Sequence, residues 1–211
     1  MKKLVVKIIL IVLLLIIGIG GIKAGTIFYK GYEMYKTAID EVKIEDKIRE
    51  LKEKEDYVSL QDIAPEFLKE LVLSEDKRFK DHSGFDFIAT SRAMANNIKA
   101  GSFIQGGSTI TQQLSKNLYF TFEKRLERKV AEVLVAFDLE KKYSKEEILE
   151  YYCNVIYFGE NCYGIKAAAN HYYGIEPLEL KEENIEILVN TIKSPNDSNP
   201  NAIAAMSEKA M

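Results

Sequence analysis

The apolar positions of this chain fall into one long uninterrupted run followed by a series of helical stripes. From Leu4 to Ile22 the only charge is Lys7. As a helix that run rises about 28 Å at roughly 1.5 Å per residue, close to the hydrocarbon thickness of a bilayer. Beyond it, apolar residues recur at Ile39, Val42, Ile48 and Leu51 through a segment dense in Glu, Lys and Asp. That spacing reads as a stalk helix, or more simply as a solvated charged helix. From Val58 onward the period stays helical. Gln61 to Pro65 offers an acidic cap and an early proline for a helix through Phe67, Leu68, Leu71 and Val72. Asp86 to Lys99 forms a second helix closed by Gly101. Gly106-Gly107-Ser108 precedes a third with Ile110, Leu114 and Leu118. A fourth spans Glu123 to Tyr143, with Leu126, Val130, Val133, Leu134 and Phe137 as its apolar side. Ser144 and Glu147 have capping-box spacing and open a fifth; Gly164 to Tyr173 and Glu182 to Ile192 supply the last two. Strand-like alternation is nearly absent, so the fold class is mainly α.

Flanking charge orients the first run. Lys2 and Lys3 precede it and Lys7 lies near its start, which places the N-terminus in the cytoplasm and the remainder outside. A cleaved signal peptide is the rival reading, but Gly21-Ile22-Lys23-Ala24 is a poor cleavage site. Phe28, Tyr29, Tyr32 and Tyr35 then resemble an interfacial aromatic belt. The expected organisation is a cytoplasmic tip and transmembrane anchor over 1–27, a juxtamembrane stalk over 28–56 and a helical globular domain over 57–211. A net charge of −3 argues against a nucleic-acid partner. Cys153 and Cys162 are too few for a disulfide framework; pairing with each other in an oxidising compartment is one reading, and their apolar neighbours favour the other, small core residues.

Five short stretches carry the chemistry. They are Glu75-Asp76-Lys77-Arg78-Phe79-Lys80-Asp81-His82-Ser83-Gly84, Gly106-Gly107-Ser108-Thr109-Ile110-Thr111-Gln112-Gln113-Leu114, and Arg128-Lys129-Val130-Ala131-Glu132. Ile148 to Asn154, running on to Tyr157-Phe158-Gly159, is the fourth; Gly164 to Ala169, ending Tyr172-Tyr173-Gly174, is the fifth. In this order they resemble the five motifs of glycosyltransferase family 51, found in class A penicillin-binding proteins and in monofunctional peptidoglycan transglycosylases. The resemblance covers about residues 57 to 200. It implies a lysozyme-like helical domain with a small membrane-facing lobe. It also implies lipid II and the growing lipid-linked glycan as substrates, the bacterial cytoplasmic membrane as location, and penicillin-binding transpeptidases as candidate partners.

The reaction so implied makes two demands. A sugar 4-hydroxyl needs a base to take its proton, and a departing pyrophosphate needs positive charge more than a proton donor. By the resemblance Glu75 is the base, and the apolar turn Leu71 to Ser74 before it would desolvate its carboxyl. Glu132 is the second essential carboxylate, placed near the leaving group, where it works through a Lys or Arg or through a divalent cation. A plain i, i+4 bridge to Arg128 is its structural alternative. Lys116, Lys124, Arg125, Arg128 and Lys129 form the expected phosphate cradle, although a solvated amphipathic helix gives similar runs. Ser108, Thr111, Gln112 and Gln113 offer hydrogen bonds for sugar, or else cap and coat a helix. Asp76 orients neighbours or meets substrate. Phe79, His82 and Gly84 are read as support beside Glu75, and Glu150 and Asn154, one helical turn apart, as satisfying buried groups. His171 is expected on the surface. With only two histidines no transition-metal site is expected; no cofactor is required, and Mg or Mn is the one ion the chemistry would accommodate.

Phe85, Phe87, Ile88, Phe103 and Ile104 flank the first two motifs and would suit a lipid-facing surface or ordinary core packing. Departures from the family are mild: Cys153 and Cys162 replace Leu and Ala, Lys166 an acid or amide, and Tyr173 a Phe. Thr191 to Asn196 is a looser match, and the end after Pro200 is shorter than the family's closing helix. Two other readings share the pattern. A lytic lysozyme-like enzyme has little use for the Arg128-Lys129 pair, and an idle lipid II-binding scaffold has little use for both glutamates.

Overall fold

The computed structural model describes residues 2–102, 104–121 and 125–210, with side chains described over 20–208 apart from those gaps. Among the described residues ten α-helices follow in order: α1 (Lys2–Glu41), α2 (Ile44–Lys52), α3 (Pro65–Glu75), α4 (Phe87–Ala100), α5 (Ile110–Tyr119), α6 (Leu126–Lys142), α7 (Lys145–Cys153), α8 (Ile165–Tyr173), α9 (Glu182–Lys193) and α10 (Pro200–Ala210). Among the described residues there is no strand, only an isolated bridge between Tyr157 and Tyr163.

Local chemistry sets several helix ends. Asp86 caps α4 by accepting from the Ala89 N–H at 3.0 Å, and Gly101 ends it at φ 64°, where a side chain would be strained. Thr109 and Gln112 close a reciprocal capping box on α5, and Ser144 and Glu147 do the same on α7. The acidic cap expected before α3 is not formed. Ala64 is the N-cap and has no side-chain bond, while Asp62 turns back to accept from Ser59 Oγ at 2.5 Å in a short 3-10 turn.

Helix α5 runs through the centre, between α6 and α7, and α3 lies against α9. Phe67 and Leu71 of α3, Ile110 and Leu114 of α5, Val135 and Leu139 of α6, and Ile148 and Tyr152 of α7 are all fully buried in one core. The buried face of α6 is Ala131, Glu132, Val135, Ala136 and Leu139. This differs from the stripe read from sequence, because Leu126 and Phe137 are exposed. A long helix with apolar residues on several sides lets its neighbours choose the face that is covered.

The charged segment after α1 is likewise no solvated stalk. Ile44, Ile48 and Leu51 sit in the main core, so α2 is an integral part of the globular body that the stalk reading assigned to the linker. Helix α1 packs along α6 and comes close to it at Gly31, where a Cβ would stand 2.6 Å from the Val130 Cβ. Farther along, the Tyr35 hydroxyl donates to Asp138 at 2.5 Å. Burial and that carboxylate push the Tyr35 phenol up to about 12. The apolar run read as an anchor belongs to the same helix. The side chains of residues 1–19 lie outside those described, and among the described residues no helix is long and apolar enough to cross a membrane.

Candidate active site

A groove of about 870 Å³ opens where the C-terminus of α3, the loop before α5, and α5 and α6 meet. It brings together Glu75, Asp76, Ser108, Gln113, Lys116, Lys129 and Glu132. Glu75 is the last residue of α3 and is half-buried; one of its carboxylate oxygens accepts from the Gln113 side-chain amide at 2.8 Å. Glu132, on α6, is only 1% exposed. Lys129 Nζ lies 2.7 Å from its Oε2, and Arg128 Nη1 lies 2.9 Å from its Oε1 but out of line for a hydrogen bond. Lys129 also donates to Ser108 Oγ at 2.7 Å, tying the glycine loop to α6.

Lys116, on α5, stands within the field of both carboxylates. Burial lowers its pKa most; Glu132 and Glu75 oppose that shift, while Lys129 and Arg128 add to it. The groove therefore holds cations beside Glu75 and Glu132, and Asp76 and Asp86 also line it. Lys77, Arg92 and Lys193 extend the positive lining from three further segments. Sequence reasoning passed them over because each is an ordinary exposed cation until the fold turns it to the groove.

Several other expected contacts lie elsewhere. Thr111 is fully buried away from the groove and donates to Glu140 at 2.6 Å. The Gln112 Oε1 closes the α5 capping box, while its Nε2 is buried without a hydrogen-bond partner and the residue borders a neighbouring cavity. Asp76 lines the groove but its oxygens accept from the His82 ring at 3.0 Å and from the Ile110 N–H at 3.0 Å. It thus pins the start of α5 beside Glu75. Arg125 and Arg128 line a neighbouring cavity of about 940 Å³ whose walls are mostly apolar, with Phe85, Met94, Ile98, Leu126 and Val133. The loop Gln105 to Ser108 and Lys129 border both cavities. Lys124 and Phe103 fall outside the described residues.

The supporting residues form a frame around these groups. Phe79 is buried and carries Lys145 over its ring at 4.4 Å. Gly84 adopts φ 85° against the Ala136 backbone, and its carbonyl accepts from Thr109 at 2.7 Å. Asn154 clamps the Val58 N–H and carbonyl, each at 2.8 Å, and Glu150 accepts from the Leu60 N–H at 2.8 Å and from the Tyr57 hydroxyl. His171 is on the surface, paired with Glu160 at 2.8 Å, and both cysteines are buried and unbonded. Asp76, His82 and Asp86 bring three metal-ligand-type atoms within 4.8 Å of one another. Protein donors already engage them, since Asp86 holds Arg78 Nε at 2.9 Å as well as the α4 N-terminus.

The sequence profile of the transglycosylase family matches residues 43–211, most of the chain and all of the groove. The chain belongs to the transglycosylase family. Transglycosylase relatives include penicillin-binding protein 1A of Aquifex aeolicus, 43% identical over 144 residues, which are 68% of this chain and 20% of that protein. A monofunctional glycosyltransferase of Staphylococcus aureus is 45% identical over 130 residues, 61% of this chain and 48% of its own. A biosynthetic peptidoglycan transglycosylase of Nitrosospira multiformis is 41% identical over 139 residues, 66% of this chain and 60% of its own. The chain thus spans between a fifth and three fifths of these relatives' lengths. The family match begins within the charged segment that α2 occupies, in keeping with the burial of that helix in the core.

Proposed function

We propose that the protein is a peptidoglycan glycosyltransferase that polymerises lipid II into β-1,4-linked glycan, with inversion at the anomeric carbon. The carrying observation is the shared groove, in which two acids from distant parts of the chain flank Lys116 and Lys129. Glu75 accepts the proton of the acceptor 4-hydroxyl as the new C–O bond forms. The bond from the anomeric carbon to the lipid pyrophosphate breaks, and its electron pair leaves with the pyrophosphate. Lys116, Lys129 and Arg128 stabilise that charge. The Arg128 Nε and Nη1 are buried without a hydrogen-bond acceptor, an arrangement that a phosphate oxygen would complete. Glu132 holds Arg128 and Lys129 in place through both of its oxygens. These cations carry the charge that a divalent ion (Mg or Mn) would otherwise supply, so chelation by EDTA is expected to leave activity intact.

The apolar cavity beside the cradle suits the lipid tail of the donor, and exposed Phe87, Ile88, Met94, Ile98 and Ile104 continue that surface outward. Together with the Leu4 to Ile22 run, this supports a domain seated on the outer face of the cytoplasmic membrane, with the N-terminus inside. The lysozyme-like architecture with its membrane-facing lobe, the growing glycan as donor, and cooperation with penicillin-binding transpeptidases belong to the same reading. The test is polymerisation of labelled lipid II by the wild type, Glu75→Gln and Glu132→Gln. Loss of product in both variants is expected. Polymer at the wild-type rate from Glu75→Gln removes the assigned base, and fragments released from preformed sacculi would make the enzyme lytic.

A further inference from the structure

Behind the proposed base stands a side chain that the reaction as described does not use. Tyr152, in the last turn of α7, is fully buried, and its hydroxyl donates to Gln113 Oε1 at 2.8 Å. The other end of the same amide donates to Glu75 Oε2 at 2.8 Å. Three helices thus meet in one chain of hydrogen bonds, from α7 through α5 to α3. We infer that Tyr152 is a positioning residue, which fixes the orientation of the Gln113 amide and through it the carboxylate of Glu75. This inference rests on the reading of Glu75 as the base.

The chemistry of the donors and acceptors carries the argument. An ionised carboxylate only accepts, so the amide must turn its NH₂ toward Glu75. That leaves Oε1 facing inward, where it needs a donor. The tyrosine hydroxyl supplies one, and burial, with Glu75 and Asp76 nearby, pushes its phenol well above the ordinary tyrosine value, so that it stays protonated. With Phe in its place the volume is kept but Oε1 loses its donor, so only the single bond to Glu75 still favours this amide orientation and the side chain is held less firmly. In the flipped orientation a carbonyl oxygen faces the carboxylate, which then turns away from its place in the groove. A base displaced by a rotamer keeps its substrate site but reacts less often.

Two measurements on the full-length chain in detergent decide the matter. The first is the NMR signal of the Gln113 side-chain NH₂, identified by its loss in Gln113→Leu. In Tyr152→Phe its proton and nitrogen shifts are expected to move to those of a free glutamine amide; unchanged shifts overturn the inference whatever the enzyme's activity. The second is lipid II polymerisation. Tyr152→Phe should lower kcat by about five- to tenfold, the worth of about one hydrogen bond, with KM changed by less than about twofold. The double variant Tyr152→Phe/Gln113→Leu should be no slower than Gln113→Leu alone; full additivity overturns the relay. A wild-type protein that makes no polymer defeats the functional reading, and the amide signal still decides the hydrogen-bond chain.

Discussion

Replacing Glu132 by Gln tests whether the buried acid is the counter-charge that keeps the cation cradle folded. The substitution keeps the shape of the side chain. It removes the negative charge that faces Arg128 at 2.9 Å and Lys129 at 2.7 Å, and it turns one acceptor into a donor pointing at a cation. Breaking a buried ion pair from one side typically costs about 3–5 kcal/mol, because the remaining charge stays desolvated. The two partners contribute unequally here. The Lys129 side chain is 45% exposed and can swing into water, so its share is small after screening. The Arg128 side chain is 15% exposed and has no such escape. The net expectation is a loss of about 2–4 kcal/mol, or roughly 5–12 °C in Tm for a chain of this size. Urea unfolding in detergent, followed by circular dichroism, measures it. Added pyrophosphate should raise the Tm of Glu132→Gln more than that of the wild type, since an anion can replace the missing charge. A variant as stable as the wild type, with no extra response to pyrophosphate, would refute the reasoning.

Three further perturbations separate the roles of neighbouring groups. Gly31→Leu places a side chain where a Cβ already meets Val130 at 2.6 Å and the Glu127 carbonyl at 2.7 Å. Overpacking of about 1–3 kcal/mol should outweigh the roughly 1 kcal/mol gained in helix propensity, lowering both Tm and polymerisation as α6 is pushed aside. Lys116→Met should raise stability while abolishing polymerisation. Because burial lowers this lysine's folded pKa below its unfolded value, the charged form costs stability at all lower pH, and the difference should vanish as pH rises through the unfolded pKa. Thermal scans from neutral to alkaline pH follow that convergence. Asn154→Ala removes the clamp on the Val58 N–H and carbonyl, both at 2.8 Å, and should cost about 2–4 kcal/mol by urea unfolding for two stranded backbone groups.

Local signals settled several helix boundaries. Thr109 with Gln112, Ser144 with Glu147, and Asp86 with Gly101 mark helix ends through bonds that span only a few residues, and such bonds are legible in any sequence. The motif order was legible too, and so were Glu75, Gln113, Lys116, Lys129 and Glu132 as groove residues. Residue type alone, by contrast, does not reveal what a side chain spends its hydrogen bonds on. Thr111, Gln112 and Asp76 look like sugar ligands, yet each is bound to a buried protein partner. The stripe on α6 was misplaced for a related reason, since which face of an apolar-rich helix is covered depends on what packs there.

By itself, then, the chain determined its helical character, its chemistry-bearing residues and the long apolar run at its start, because these depend on composition and on spacing within a few turns. Tertiary structure alone decided that α2 joins the core, that Arg128 faces the apolar cavity while Lys129 borders both, and that Tyr152 reaches Glu75 through Gln113. Each of those facts joins helices far apart in sequence, and contacts at such separation leave no periodic trace in the residues that make them.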